Sequence, residues 1–369
     1  MQILITGATG MIGAECVQRL VDRGDTVIAV LHREARILLG GNEEIRSVPW
    51  SPYLRGSPGA FTIAGDITVA NLGFDDSTCA ALVKDLDAIV HIAAVTEFGR
   101  RPEVYDQINI DGTENLLQLS TPPSREPIPF LYVSTAYVCG ERLGTISEAD
   151  FDYGQSFAND YERSKFTAEQ LVHQRRPDAT ILRPSIVVGR DGTGISRDYK
   201  HIFPVLKVMT SGHLRTIPGE YGAMLDLVPI DYVADGIVAA LDNARRSPGI
   251  TYHLVGDRAL SFRDLSDVVA EYPAFEMPRF VPRANFDPAD LSRSEFRYYD
   301  GIIRLYDSYF NRRITFDKSR MVGLMPGRSV SVGTDLLRQL LDHALDTGYL
   351  GSRRALVRRR RLSASVNDT

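Results

Sequence analysis

The sequence predicts an α/β fold in which a doubly wound parallel sheet is joined to a smaller, mostly helical C-terminal lobe. One observation is the order of the elements. Over residues 1–190, short apolar runs typical of buried strands alternate with segments of helical periodicity, and this alternation requires a parallel sheet with helices on both faces. The other observation is the first apolar run, residues 1–6, which ends in a glycine-rich turn and leads into a helical pattern.

The glycine-rich turn has the pattern Gly-x-x-Gly-x-x-Gly. A strand, such a turn and a helix form the dinucleotide-binding unit of Rossmann-type folds. Gly7 permits the tight turn, Gly10 lets the backbone approach a pyrophosphate, and Gly13 lets the helix lie close to the strand. Free amides at the helix start and the helix dipole favour the phosphates. We expect the turn to bind the cofactor through Gly7, Thr9, Gly10, Met11, Ile12 and Gly13.

The end of the second strand, residues 26–31, indicates which nicotinamide cofactor is bound. In NAD enzymes, an acidic residue at this position usually binds the ribose 2′-hydroxyl. Arg33 and Arg36 follow the strand here instead, and a guanidinium suits a 2′-phosphate. We therefore expect NADP(H) to be preferred over NAD(H).

The third strand is predicted to contribute the adenine contacts. Residues 40–60 are rich in Gly, Pro and Ser and show little periodicity, so we expect a surface excursion. A short strand follows at residues 61–64. Asp66 and Ile67 come directly after it, where Asp66 could contact the adenine edge and Ile67 could cover the ring.

Three further strands complete the predicted sheet. The fourth strand, residues 88–91, precedes Ala93 and Ala94, whose small side chains permit close approach of a ligand. Residues 130–134 and 180–182 are the fifth and sixth strands. Because the carboxyl ends of parallel strands form the ligand crevice, residues after each strand are candidates for the site.

The candidate catalytic groups are a tyrosine, a lysine and a threonine. Tyr161 and Lys165 lie four residues apart on a predicted helix, so their side chains share one face. A lysine beside a tyrosine stabilises the phenolate and lowers the pKa of the phenol, so we expect the pair to transfer a proton near neutral pH. The lysine could also hold the nicotinamide ribose. Thr135 follows the fifth strand, and its hydroxyl can donate to a developing alkoxide.

The chain divides into two predicted units and a tail. The Rossmann domain comprises residues 1–190, with residues 226–256 returning to it. Residues 191–225 and 257–350 form the substrate-binding lobe, because the strand–helix alternation ends after residue 189. Residues 351–369 carry a run of arginines and are expected to be a disordered basic tail.

Composition excludes several functional classes. The 369 residues are 44% hydrophobic and 24% charged, as in an ordinary globular protein, and the net charge of -5 argues against nucleic acid as a partner. The cysteines at positions 16, 79 and 139 are scattered, and no metal-binding cluster is visible, so we expect no metal site and reduced thiols in the cytoplasm. The first strand begins at Met1, so no signal peptide is expected, and no apolar run is long enough for a transmembrane segment.

Several motifs together resemble the extended short-chain dehydrogenase/reductase superfamily over roughly the first 255 residues. They are Thr6-Gly7-Ala8-Thr9-Gly10-Met11-Ile12-Gly13, Asp66-Ile67, His91-Ile92-Ala93-Ala94, Tyr161-Glu162-Arg163-Ser164-Lys165 and Leu182-Arg183-Pro184-Ser185. The resemblance implies that Thr135, Tyr161 and Lys165 are the catalytic triad. It also implies that Asn109 supports the lysine through the backbone and a water. Pro184 and Ser185 would line the nicotinamide.

A narrower resemblance is to the thioester reductase and fatty acyl-CoA reductase branch, the male sterility-type NAD(P)-binding proteins. The segments that carry it are residues 133–140, 183–189 and 226–234. This branch reduces acyl chains held as thioesters on coenzyme A or a carrier protein. The resemblance therefore implies an NADPH-dependent reductase that converts an acyl thioester to an aldehyde or an alcohol, with Tyr161 as proton donor.

Two other functions stay open at this point. One is an NAD(P)-dependent nucleotide-sugar epimerase, or another sugar- or steroid-type dehydrogenase of the extended family. A dehydratase usually has Asp-Glu after the catalytic threonine, whereas Ala136 and Tyr137 follow here. Epimerases generally keep NAD bound, and Arg33 argues against NAD. The other is a non-catalytic NADP-sensing protein, although such proteins commonly lack the tyrosine–lysine pair.

The expected partners follow from the reductase hypothesis. The substrate would be a small molecule or a carrier-bound acyl group, and an acyl carrier protein is a possible partner. The basic tail could dock such an acidic carrier or an anionic membrane surface, through attraction that salt screens. A homodimer is also compatible with the sequence.

Overall fold

The computed structural model describes residues 1–34, 36–54, 56–330 and 333–351. Its centre is a sheet of eight strands, all parallel. In chain order, the strands are β1 Gln2–Thr6, β2 Thr26–Leu31, β3 Ser47–Pro49, β4 Gly59–Ala64, β5 Ala88–His91, β6 Phe130–Val133, β7 Thr180–Pro184 and β8 Thr251–Leu254.

The strand order across the sheet is β8-β7-β6-β5-β1-β2-β4-β3. The chain therefore winds outward from β1 in one direction and then continues from β5 in the other. The crevice at the carboxyl ends of β1 and β5 is the switch point at which such sheets bind ligands. Thr6 and His91 pair at the ends of these two strands. The predicted α/β, doubly wound class is confirmed.

One strand lies where the sequence predicts a surface excursion. Within residues 40–60, the segment Ser47–Pro49 pairs with β4 and becomes the edge strand of the central sheet, with Val48 opposite Phe61. The prediction is wrong for these residues. Three residues that contain a proline give no periodic signal, and the neighbouring strand supplies the pairing.

Helices cover both faces of the sheet and build the C-terminal lobe. They are α1 Met11–Asp22, α2 Asp76–Lys84, α3 Pro102–Tyr105, α4 Gly112–Leu119, α5 Asp160–Arg175, α6 Ile202–Thr210, α7 Ile230–Asn243, α8 Phe262–Ala270, α9 Arg293–Gly301, α10 Ser319–Leu324 and α11 Thr334–Asp346. A π-helical turn, Asp106–Asp111, joins α3 to α4, and a 3₁₀ segment, Ile303–Phe310, follows α9.

Local sequence explains why these helices start where they do. Asn159 caps α5 by accepting from the amide of Glu162 at 2.9 Å. Ser261 forms a reciprocal capping box with Asp264 at the start of α8. Short polar side chains therefore satisfy backbone amides that have no partner within the helix.

The C-terminal part of the chain has a hydrophobic core of its own. Leu206 of α6, Phe262 of α8 and Leu340 of α11 are fully buried in one cluster. The segment 226–256 instead contributes α7 and β8 to the central sheet layer, and Leu227–Pro229 pairs with Ile186–Val188. These contacts support the proposed division into a Rossmann domain and a smaller lobe.

Two sequence predictions concern the membrane and the tail. No helix among residues 1–34, 36–54, 56–330 and 333–351 is both long and apolar enough to cross a membrane. The arginine run at 353–361 lies outside the described residues.

Candidate active site

The glycine turn follows β1 and opens onto the crevice. Gly7 has a φ of 73°, and a Cβ placed on it would lie 2.7 Å from the amide nitrogen of Ala93. A Cβ on Gly13 would lie 2.1 Å from the carbonyl oxygen of Gly7. The turn and α1 are thus packed too tightly for side chains at these positions. The unpaired amides at the start of α1 are left for an anion, so the turn fits the diphosphate of a dinucleotide.

A cleft of about 610 Å³ begins at this turn and continues between the sheet and the C-terminal lobe. It brings together most of the site residues that the sequence predicts. Those that line it are Gly7, Thr9, Gly10, Met11, Ile12, Gly13, Arg33, Asp66, Ile67, Ala93, Ala94, Thr135, Tyr161, Lys165, Pro184 and Ser185. Arg36 and Asn109 are not among the lining residues.

The two predicted 2′-phosphate ligands have different surroundings. Arg33 is exposed at the cleft. Arg36 is also exposed, but its guanidinium lies 3.9 Å from the carboxylate of Glu44. Arg33 is therefore the better placed of the two to meet a ligand in the cleft.

Asp66 lies beside Arg33 at the same end of the cleft. The backbone amide and the hydroxyl of Thr68 donate to its Oδ1 at 2.9 and 2.7 Å, and these bonds lower the pKa of Asp66. His32 Nε2 is 3.3 Å from the other carboxylate oxygen. The carboxylate is thus ionised and held in place. His32, which also lines the cleft, is a neighbour that the sequence analysis missed.

A buried histidine fixes the loop that carries Ala93. His91 Nδ1 lies 2.7 Å from the hydroxyl oxygen of Thr6, and that oxygen accepts from the amides of Ile92 and Ala93 at 3.2 and 3.3 Å. Burial lowers the pKa of His91 to about 3, so the ring is neutral at physiological pH. The histidine therefore acts as a structural connector between β1 and β5 at the edge of the cleft.

Thr135 and Tyr161 are neighbours at the wall of the cleft. The Thr135 side chain lies near the Tyr161 phenol and acts to lower its pKa. The same hydroxyl oxygen lies 3.4 Å from the carbonyl oxygen of Pro184 and accepts from the Tyr137 amide at 3.3 Å. The two hydroxyl groups thus lie at the same part of the cleft wall.

The pKa of Tyr161 differs from the sequence-based expectation. Burial raises it above the usual value for a phenol, and the nearby Thr135 hydroxyl only partly opposes this effect. The Lys165 ammonium, which was expected to stabilise the phenolate, makes other contacts. Its Nζ donates to the carbonyl oxygen of Val133 at 2.9 Å and lies 4.2 Å from the centre of the Tyr132 ring. In this state Tyr161 is a neutral phenol, which is the form that can donate a proton.

Lys165 is itself a perturbed group. It is buried, and burial lowers its pKa to about 7, while Glu169 opposes the shift. A lysine with this pKa exchanges its proton near neutral pH. Its position one turn after Tyr161 on α5 gives both side chains access to the same part of the cleft.

Asn109 lies in the π-helical turn Asp106–Asp111, behind the cleft wall. Its side-chain amide donates to the hydroxyl of Ser164 at 2.9 Å and to the carbonyl of Val95 at 3.1 Å, and it accepts from the Val95 amide at 2.8 Å. Asn109 therefore ties the loop after β5 to α5 at the residue next to Lys165. Its proposed support of the lysine through backbone and water stays a prediction.

A buried ion pair lies under the catalytic helix. Arg183 donates to Glu169 at 3.0 Å through Nε and to the carbonyl of Asp150 at 2.7 Å, and Ser134 donates to the same carboxylate. Although burial acts to raise the pKa of Glu169, Arg183 and the hydrogen bonds hold it at about 2. The carboxylate thereby fixes α5 against β6 and β7.

A second buried ion pair joins the catalytic helix to the C-terminal lobe. Arg312 Nη2 donates to both carboxylate oxygens of Glu162 at 2.9 and 3.0 Å, and the Tyr309 hydroxyl donates to one of them at 2.9 Å. Glu162 directly follows Tyr161. The sequence analysis missed this contact because 150 residues separate the partners.

An aromatic group that the sequence analysis also missed covers Tyr161. The Phe98 ring lies 5.8 Å from the Tyr161 ring and 4.9 Å from that of Tyr306. Phe98 and Tyr306 both line the cleft. No local motif marks them, since they lie on a loop and in the 3₁₀ segment.

The family model of the male sterility protein matches residues 5–237 of this chain. The chain belongs to the male sterility protein family. The match spans the glycine turn, Thr135, Tyr161 and Lys165. The resemblance to the extended short-chain dehydrogenases/reductases and their thioester reductase branch is therefore confirmed, as is the enzyme class, an NAD(P)-dependent short-chain dehydrogenase/reductase of the extended type.

Large synthases are among the individual proteins that are similar to this chain. The chain is 25% identical over 372 residues to an isonitrile lipopeptide synthase of Streptomyces coeruleorubidus, and the match covers 95% of this chain. The chain spans only 6–25% of the length of the synthases that it matches.

Two solved structures show the same architecture. The terminal R domain from the myxalamid PKS-NRPS biosynthetic pathway superposes with a TM-score of 0.76 at 25% identity, covering 95% of this chain and 92% of that one. UDP-glucuronic acid 4-epimerase from Bacillus cereus, in complex with NAD, superposes with a TM-score of 0.64 at 22% identity, covering 93% and 96%. The second likeness concerns the fold alone.

Proposed function

We propose that this protein is an NADPH-dependent reductase that converts an acyl thioester, held on coenzyme A or a carrier protein, to an aldehyde or alcohol. The observation that carries the proposal is the pair of hydroxyl groups of Thr135 and Tyr161, which are neighbours at the wall of the cleft. The similarity to a terminal R domain of a PKS-NRPS pathway supports a carrier-bound acyl group as substrate.

The preference for NADPH rests on Arg33. Its exposed guanidinium lies at the end of β2, beside Asp66, where it could bind a 2′-phosphate bidentately. Asp66 could accept from the adenine amino group, because hydrogen bonds from Thr68 keep it ionised. Lys165 would donate to the nicotinamide ribose, and Pro184 and Ser185 would line the nicotinamide.

The proposed chemistry assigns one task to each catalytic residue. A nicotinamide cofactor held at the glycine turn would supply the hydride for the carbonyl carbon. Thr135 and Tyr161 donate hydrogen bonds to the carbonyl oxygen, so charge that develops there is stabilised. Tyr161 then gives its proton to that oxygen, as its neutral state allows. The resulting hemithioacetal breaks its C–S bond, and the products are an aldehyde and a free thiol.

Lys165 would return Tyr161 to its starting state. After proton donation the phenolate needs a proton, and a buried lysine with a pKa of about 7 can supply one near neutral pH. For this transfer the Lys165 ammonium, which donates to the carbonyl of Val133 in the structure, would have to turn toward the phenolate, which its charge would then stabilise.

The nucleotide-sugar epimerase function is the weaker alternative. The B. cereus epimerase shares the fold, and fold alone does not carry function. Ala136 and Tyr137 follow Thr135 and are both buried, so the acidic pair of a dehydratase is missing at that position. Arg33 at the end of β2 also disfavours tightly held NAD.

A substrate panel tests the proposal. NADPH consumption should be measured with acyl-CoAs, carrier-bound acyl thioesters, ketones and nucleotide sugars, for wild type and Tyr161→Phe. We expect oxidation of NADPH with thioesters, lost in the variant. Turnover of a nucleotide sugar without net NADPH oxidation would contradict the proposal and favour the epimerase.

A carrier-docking role is proposed for the basic tail. Truncation after Gly351 should leave reduction of a small free carbonyl substrate unchanged and lower kcat/KM for a carrier-bound thioester at low salt only, since salt screens the attraction over about 8 Å at physiological ionic strength. Equal efficiency of the two proteins on the carrier-bound substrate at low salt would remove this role.

A further inference from the structure

The cleft continues beyond Tyr161 into the C-terminal lobe as an apolar chamber. One wall is α6, whose residues Ile202, Val205, Leu206 and Met209 all line the cleft. Their spacing of i, i+3, i+4 and i+7 places them on one face of the helix, over about 10 Å of its length. A single helical stripe thus runs along the chamber.

The opposite wall is apolar as well. It is built by Leu225, by Phe262 and Leu265 of α8, and by Phe310. These four side chains carry no hydrogen-bonding or charged group. Burial of a sugar or a diphosphate against such walls would leave its polar atoms without partners, which costs free energy. The chamber suits an aliphatic ligand.

Accessible surface decreases along the α6 stripe. Ile202 and Val205 are 6% and 5% exposed, whereas Leu206 and Met209 are 0% and 1% exposed. Leu265 of α8, which also lines the cleft, is 1% exposed. The more exposed side of the chamber is therefore near the first turn of α6, and the end nearer Met209, called its closed end, belongs to the hydrophobic core of the lobe.

We propose that this chamber holds the unbranched alkyl chain of the acyl substrate and that Met209 and Leu265, at its closed end, set the longest chain accepted. The assignment of the ligand as an acyl group rests on the proposed function. Burial of each methylene contributes about 0.8 kcal/mol, which corresponds to an increase of about fourfold in kcat/KM per carbon. The increase stops when the chain reaches Met209. Val205 lies one turn, or about 6 Å, before that stop.

The test compares substrates of increasing length and two variants. Saturated acyl-CoAs should show kcat/KM rising to a maximum and then falling with wild type. Met209→Ala opens the closed end and should move the maximum to longer chains. Val205→Phe fills the chamber one turn earlier and should move it to shorter chains. Met321→Ala is the matched control, since Met321 is a fully buried methionine of α10 that does not line the cleft.

A binding measurement separates this proposal from the proposed function. Calorimetric titration with straight-chain primary alcohols requires no reduction and should give the same chain-length dependence and the same shift in both variants. If alcohols follow this pattern but no thioester is reduced, the chamber assignment stands and the thioester reductase function is refuted. If thioesters are reduced with no dependence on chain length, or if both variants behave like Met321→Ala, the chamber assignment is wrong.

Discussion

Arg312→Met tests how the C-terminal lobe holds the catalytic helix. Glu162 is 0% exposed and Arg312 is 4% exposed, so the substitution would leave a buried carboxylate without its cation. Removal of one partner of a buried pair costs about 3–5 kcal/mol. Glu162 follows Tyr161 on α5, so loss of the ion pair should also make the start of this helix less rigid. We therefore expect a lower kcat and little change in the affinity for the cofactor.

The double variant Glu162→Gln with Arg312→Met should recover most of this loss. Within the described part of the chain, Nε and Nη1 of Arg312 are buried without a hydrogen-bond partner. The guanidinium is covered instead by the Tyr309 ring, 4.6 Å from the ring centre. A cation that is only partly compensated costs desolvation energy, so removal of both charges should be close to neutral.

The measurement is the free energy of unfolding by urea for wild type, both single variants and the double variant. Arg313→Met is the matched control, because Arg313 and its partner Glu220 are 66% and 46% exposed. Such a contact is worth at most about 1 kcal/mol. A loss below about 1 kcal/mol for Arg312→Met, or a double variant as unstable as the single one, would refute this reasoning.

The remaining predictions concern the cofactor site. Arg33→Asp should weaken NADPH binding by about 10- to 150-fold, the worth of a charge-assisted hydrogen bond, and improve NADH binding; a wild type that already prefers NADH in titration would contradict this. Burial lowers the pKa of Lys165 to about 7, so kcat/KM for NADPH in the wild type should fall as the pH rises through 7 and the ammonium loses its proton. In Lys165→Met, kcat/KM should be low at every pH. A variant whose kcat/KM still falls above pH 7 as in the wild type would exclude Lys165 as the titrating group. Gly13→Ala should destabilise the protein by about 3 kcal/mol in thermal unfolding, because its Cβ would lie 2.1 Å from a backbone oxygen. Gly301→Ala is the control and should leave the stability unchanged, because the space around Gly301 is open.

Local motifs in the sequence predicted most of the residues that line the cleft near the glycine turn. The glycine turn, Asp66 and the Tyr161–Lys165 spacing depend on contacts within a strand, a turn or a helix, so a short stretch of sequence contains them. The parallel sheet with helices on both faces followed from the alternation of strands and helices. The edge strand at Ser47–Pro49 was missed because its pairing with β4 comes from tertiary contact.

Long-range contacts account for what the sequence left open. Arg312 and Glu162 lie 150 positions apart, and neither residue has a local signal that names the other. The pKa of Tyr161 depends on burial by Phe98 and its neighbours and on where the Lys165 ammonium is directed. The apolar chamber is formed by α6, α8 and the 3₁₀ segment. In each of these elements, the spacing of the apolar residues shows only that one face is buried.

The central claim is that Thr135 and Tyr161 promote thioester reduction, and product stoichiometry tests it most directly. With an acyl-CoA and NADPH, free thiol should appear mole for mole with the aldehyde formed, while NADPH is consumed in at least equal amount. Tyr161→Phe should lower kcat by about 10²–10⁴-fold, the usual contribution of a general acid, and keep the affinity for NADPH. Near-normal turnover in Tyr161→Phe, or NADPH oxidation without thiol release, would contradict the account.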